Sequence, residues 1–164
     1  MNQKLPMVRN INWLMFAIQM LIVAGFTILL SILLYPILGS GLISFLLLPI
    51  VLYVLIAQRI MLRHHRAGIR QLRQGNYESA LQAFEQSFEF YTAHPGLDRM
   101  RYVLLVTASR FTLREMAMMN IAYCFAQMGD KEKTLKYYQR LLREYPENFI
   151  AQNTLRFIEM IEND

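Results

Sequence analysis

The chain has one cysteine, Cys124, in 164 residues. That excludes a disulfide framework and any multi-cysteine metal site. Charge is scarce too. Asp, Glu, Lys and Arg make up 18% against 55% hydrophobic residues, where soluble domains average about 25% and 45–50%. This argues against a disordered chain and against an ordinary soluble globule. There is no G-x-S-x-G, no phosphate-binding glycine loop and no H-E-x-x-H. The acids are scattered over helix exteriors and turns, so no carboxylate pair suggests acid–base catalysis. The sequence therefore reads as non-enzymatic, with no cofactor and no metal. His64 and His65 are adjacent and point to different helix faces, whereas a metal pair on a helix wants H-x3-H. Cys124, in the run AYCF, reads as a small buried hydrophobe.

The scarcest charge lies at the N-terminus. Residues 10–58 contain no Asp, Glu, Lys or Arg. A bilayer core is about 30 Å thick and a spanning helix needs about 20 apolar residues, so this stretch is long enough for two spans and a turn. The expected layout is an N-terminal segment over 1–10, a first transmembrane helix over 11–35, an external turn over 36–41 marked by Pro36, Gly39, Ser40 and Gly41, and a second transmembrane helix over 42–60. Gln19 would bond across the hairpin or between protomers. Lys4 and Arg9 precede the spans and Arg59, Arg63, Arg66, Arg70 and Arg73 follow them. Positive flanks stay on the cytoplasmic side. The expected location is an integral, multi-pass protein of a bacterial inner (cytoplasmic) membrane with both termini cytoplasmic. Arg59, Arg63, Arg66 and Arg70 would contact anionic headgroups, at about 1 kcal/mol per residue.

The net charge of +5 divides by segment. Residues 59–73 hold five Arg and no acid, and residues 74–164 hold ten basic and twelve acidic residues. A nucleic-acid partner would want its basic stripe on the folded domain, so none is expected. No Gly or Pro lies between Tyr53 and Ala67. That predicts one unbroken helix from Leu42 to Gln74.

From Gly68 onward two blocks look alike: QGNYESALQAFEQSF from Gln74 and MGDKEKTLKYYQRLL from Met128. Each begins with a glycine that ends a helix, Gly75 or Gly129, and continues with an N-cap candidate, Asn76 or Asp130. An amphipathic helix follows in each. Tyr77, Ala80, Leu81, Phe84, Phe88 and Tyr91 share one stripe, and Leu135, Tyr138, Leu141, Leu142 and Tyr145 share the other. Seven residues before each glycine stands a small residue, Gly68 or Ala122. Ala80 and Phe84 form A-x3-F, Thr134 and Tyr138 take the same places, and Pro146 closes the second block. Thr112 and Glu115 have the spacing of a capping box.

These features resemble the tetratricopeptide repeat, a 34-residue helix–turn–helix. The resemblance covers residues 61–164, with repeats at 61–95 and 115–148. The glycines stand 54 positions apart, a repeat plus 20, so an inserted helix is expected over 98–107. A C-terminal helix over 149–161, capped by Asn148, would shield the last repeat. The expected fold is thus all-α, a transmembrane helical hairpin followed by a short tetratricopeptide-like solenoid. Two repeats are few for stability, so self-association into a homo-oligomer would help. In that family the first helices line a groove that receives peptides. The resemblance places Ile69, Leu72, Arg73, Met116, Met119, Asn120, Tyr123 and Gln127 in it. Asn120 matches an asparagine that holds ligand backbone. Met119 stands where family members that clamp a terminal carboxylate have a basic residue. Alternatively the apolar stripe Met116, Met119, Tyr123 is core, covered by the inserted segment or the long helix. The implied function is a membrane-anchored scaffold or assembly factor for protein partners. The alternative is an accessory subunit of a membrane transport or secretion complex acting through its hairpin.

Overall fold

The computed structural model describes residues 13–38, 42–104 and 109–163; side chains of residues 15, 16, 19, 34, 36–38, 42–50, 103, 104, 162 and 163 are outside the description. Every element among the described residues is an α-helix: α1 (Trp13–Leu38), α2 (Leu42–Met61), α3 (Arg63–Arg73), α4 (Tyr77–Ala93), α5 (Pro95–Arg99), α6 (Arg101–Leu104), α7 (Leu113–Gln127), α8 (Lys131–Glu144) and α9 (Phe149–Asn163). The chain divides into two units. One is built from Leu62–Asp98 and Phe111–Asp164, the other from Pro6–Met61 and Arg99–Arg110.

In the second unit α1 packs on α2 and touches α6. Many of its apolar side chains are exposed, among them Trp13, Leu21, Ile32, Leu33 and Leu55. Among the described residues no helix is long and apolar enough to cross a membrane. On that finding the expected two-span anchor, its inner-membrane location and its cytoplasmic termini do not stand. Residues 1–12 and the turn glycines Gly39 and Gly41 lie outside the described residues.

The expected single helix from Leu42 to Gln74 is also corrected. The helix stops at Met61 and restarts at Arg63, with Leu62 at φ −93°, ψ 9° between them. Leu62 O then accepts from Arg66 N at 2.8 Å, opening α3 as a new helix.

In the first unit α3, α4, α7, α8 and α9 form a succession in which each packs on the next. The reason α3 stops where it does lies in Gly75, at φ +78°. Gly75 N donates to Leu72 O and Asn76 N to Gln71 O, the paired closure of a helix whose following residue is left-handed. The same pair recurs at Gly129, φ +77°, where Gly129 N donates to Ala126 O and Asp130 N to Phe125 O. The next helices open differently. Asp130 Oδ1 accepts from Lys133 N at 3.0 Å and so caps α8. Asn76 makes no cap and instead donates to Gln71 Oε1 at 3.0 Å.

Two apolar clusters hold the succession together. Leu72, Ala80, Phe84, Ile121, Cys124 and Phe125 join α3, α4 and α7. Met118, Ala122, Tyr138, Leu141 and Ala151 join α7, α8 and α9. Each large side chain fully buried there contributes about 1.5–3 kcal/mol. Gly68 permits the closest approach: a Cβ there would lie 2.6 Å from the Phe84 ring. Arg114 adds a polar tie across three helices. It pairs with Glu144 at 2.5 Å, donates to Thr92 Oγ1 at 3.0 Å and to Tyr145 Oη at 3.1 Å, and lies over the Phe88 ring. Burial pushes the Glu144 carboxyl up, but Arg140 and Arg114 outweigh it and hold it below the usual range.

The inserted segment is not one helix over 98–107. It is the short helices α5 and α6, broken at Met100, and residues 105–107 are outside the described residues. Pro95 begins α5 rather than ending α4, as suits a residue whose missing N–H is of no consequence at the first helical position.

Candidate functional site

Helices α3, α7 and α9 each open a hairpin or stand where one would open, and their sequences share a register. Gly75 and Gly129 fix the offset between α3 and α7 at 54 positions. A step of 34 positions, one repeat, carries α7 onto α9. The burial pattern supports the second step: Ala117 and its counterpart Ala151 are both 0% exposed, and Ile121 and its counterpart Leu155 both pack inward. In this register Ile69, Tyr123 and Phe157 occupy one position on three helices. Arg66, Asn120 and Thr154 occupy a second, and Arg73, Gln127 and Ile161 a third.

What holds α7 in place is built from local and distant bonds. Thr112 Oγ1 accepts from Glu115 N at 3.1 Å and Glu115 Oε2 accepts from Thr112 N at 3.1 Å. This is the capping box its spacing implies. The two remaining first-turn amides are met by a residue far back in sequence. Asp98 Oδ1 accepts from Leu113 N at 2.8 Å and Oδ2 from Arg114 N at 3.1 Å. Glu115 Oε1 in turn accepts from Asn148 Nδ2 at 2.7 Å, while Asn148 Oδ1 accepts from Ala151 N at 2.9 Å and caps α9. Asn148 thus locks the start of α9 to the start of α7, so two helices of the candidate face share one anchor.

The residues singled out by sequence fall into three groups. Leu72 is 6% exposed and belongs to the core, so it is corrected from groove to core. Met119, Tyr123 and Ile69 are half-buried and pack against the clusters, with Met119 Sδ 3.3 Å from Asn148 Nδ2. Burial, then neighbouring Tyr77, raises the Tyr123 phenol. Met116 and Asn120 are half-buried, and Arg73 and Gln127 are exposed. Of the four expected headgroup arginines, Arg63, Arg66 and Arg70 are exposed on α3 and Arg59 is exposed on α2. Arg63 Nε donates to His64 at 2.9 Å. Sequence reasoning missed Phe157, Met160 and Ile161, which are 59%, 60% and 61% exposed. It treated α9 only as a shield. The signal that could have found them is the 34-position step from Tyr123 to Phe157.

Burial pushes the Cys124 thiol up to about 12, so a thiolate nucleophile is not available there. Among the described residues no cluster of three His, Cys, Asp or Glu side chains could hold a metal ion. Residues 116–148, the α7–α8 pair, match the family model described as tetratricopeptide repeat. No curated protein and no solved structure matches the chain.

Proposed function

We propose that the chain is a protein-interaction scaffold or assembly factor that binds its partner across the shared face of α3, α7 and α9. The repeat match is to a module that is typically non-catalytic and binds proteins, and it covers the pair containing α7. The observation that carries the reading is the row Ile69, Tyr123 and Phe157. One position on three helices holds a large apolar residue, and exposure rises along the row from half-buried Ile69 and Tyr123 to Phe157 at 59%. Partly exposed aromatic anchors of this kind dominate binding energies, and truncating one often costs about 2 kcal/mol or more.

A photo-crosslinking amino acid tests this directly. Placed at Phe157 or Tyr123 in the full chain in cells, it should give a discrete protein adduct. Placed at Arg143, exposed on α8 outside this face, it should give none. Adducts from Arg143 alone, or equally from all three sites, would refute the assignment of the face.

A further inference from the structure

Helix α9 closes the succession, and its two sides differ. Ala151 is fully buried and Leu155 packs on the cluster shared with α7 and α8. The Phe149 ring lies against Phe111, 5.7 Å between centroids, and Asn148 ties the first turn to α7. These contacts hold the N-terminal half. On the other side Phe157, Met160 and Ile161 are all exposed. They stand three and four positions apart and so form one stripe. Exposed Asn153, one turn before Phe157, continues it. Arg156 and Glu159 border the stripe along one edge, both exposed. They are the one cation and the one acid among the described side chains of α9.

We propose that a second copy of the chain docks on this stripe, α9 against α9 in antiparallel order about a two-fold axis at Phe157. The inference rests on the reading of Phe157 as a contact residue and names what meets it; it uses no part of α3 or α7. A two-fold contact places the same patch on both molecules, residue i on j and j on i. Charge decides the direction. Arg156 lies one position before the axis and Glu159 two positions after it. Reversing the second helix brings Arg156 of each copy within one position, about 1.5 Å along the helix, of Glu159 of the other. Two reciprocal ion pairs follow. Parallel helices would set Arg156 on Arg156 and Glu159 on Glu159. In the antiparallel pair Phe157 meets Phe157 at the centre, and Met160 of one copy covers Asn153 of the other. Exposed ion pairs add little affinity, so these fix orientation while the apolar stripe supplies the contact. A helix of some other protein could fill the stripe but need not carry cation and acid in reversed order; a second copy carries them by necessity. One stripe on one helix falls well short of the roughly 800 Å² per partner of a standard interface. The dimer is therefore weak and concentration-dependent. Each molecule has one such stripe, so association stops at two.

The test uses the full chain. Sedimentation from about 1 μM to about 1 mM should show a monomer–dimer equilibrium that Phe157→Asp weakens at least tenfold. Arg156→Glu alone and Glu159→Arg alone should each weaken it at least threefold, and the exchange Arg156→Glu/Glu159→Arg should restore it. Matched circular-dichroism melting curves verify that each variant is folded. Cysteine trapping reads the geometry, since the native Cys124 is fully buried. Phe157→Cys should form a disulfide-linked dimer under mild oxidation. Asn153→Cys alone should not, because position 153 of the two copies lies about 12 Å apart along the helices. Mixing Asn153→Cys with Met160→Cys should give the linked pair. Self-crosslinking of Asn153→Cys, or association that ignores Phe157→Asp and the charge exchange, would overturn the inference. A monomer at every concentration, whose photo-crosslinker at Phe157 still captures a different protein, would overturn it and leave the face assignment standing. No adduct of any kind from Phe157 or Tyr123 would overturn both.

Discussion

Gly68 leaves no room for a methyl group. A Cβ would sit 2.6–2.8 Å from three atoms of the Phe84 ring, and that ring is 0% exposed, wedged among residues of three helices. Alanine would gain about 1 kcal/mol of helix propensity, but overpacking a fixed ring costs about 1–3 kcal/mol. Gly68→Ala should therefore lower the urea midpoint, and Phe84→Leu in the same chain should restore part of the loss. Purely additive effects would show that the two positions do not meet. His65, on the same helix, makes an edge contact with Phe84 at 5.6 Å, and its Nδ1 has no hydrogen-bond partner among the described residues. Burial lowers its pKa from 6.5 to about 4. Below pH 6.5 the unfolded chain takes up a proton that the folded chain refuses until about pH 4. Stability contributed by this site is thus complete above pH 6.5 and is lost as pH falls toward 4. The loss amounts to about 3 kcal/mol at 1.36 kcal/mol per unit. Denaturation of the wild type between pH 7 and 4.5 should show this decline, and His65→Leu should remove it. An unchanged slope in the variant would place the acid sensitivity elsewhere.

At the scale of helices, α7 depends on a residue outside itself. Asp98 fills two of its first-turn amides, and losing such a cap costs about 0.5–2 kcal/mol. Asp98→Ala should speed amide exchange at Leu113 and Arg114 and lower the unfolding free energy by that amount. Exchange unchanged at those two amides would mean water replaces the carboxylate without loss. The case shows what was legible in the chain. The Thr112–Glu115 box spans three positions and is set by local geometry, so its spacing alone reveals it. The left-handed turns at Gly75 and Gly129 are visible for the same reason. Asp98 is bonded 15 positions away in sequence, and nothing local in GLDRM announces an acceptor. The break at Leu62 carries no Gly or Pro and so leaves no mark of its own. The place of Leu72 in the groove follows from the repeat resemblance alone. Its burial is decided by Phe84, Ile121 and Phe125 closing over it. Phe157 was passed over because α9 was compared with no other helix. Its meaning appears only when α9 is laid on α7.

For the molecule as a whole, the buried hydrophobic residues among the described side chains all fall between Leu72 and Ala151, within the unit that begins at Leu62. A fragment of residues 62–164 should therefore unfold in one cooperative transition, with the same urea midpoint as the helical signal of that unit in the full chain. A broad, non-cooperative transition would show that residues before Leu62 are needed for the core. The two outermost helices of that unit differ from α7 in one respect. On α7, Ala117 and Cys124 are fully buried, Cys124 among α3 and α4, while Met118 and Ala122 are buried among α8 and α9 and the Phe125 ring meets Tyr137 of α8. On α3 the places of Ala117 and Cys124 are held by exposed Arg63 and Arg70. On α9 the places of Met118, Ala122 and Phe125 are held by Gln152, Arg156 and Glu159. Joining the last helix of one molecule to the first helix of another would bury up to four charges and an amide without built-in partners, at several kcal/mol per buried ion. Repeat arrays that leave apolar surface at either end can extend copy upon copy into fibres. These polar terminal rows oppose end-to-end stacking of the helices, so raising the concentration should yield no growing chain of molecules.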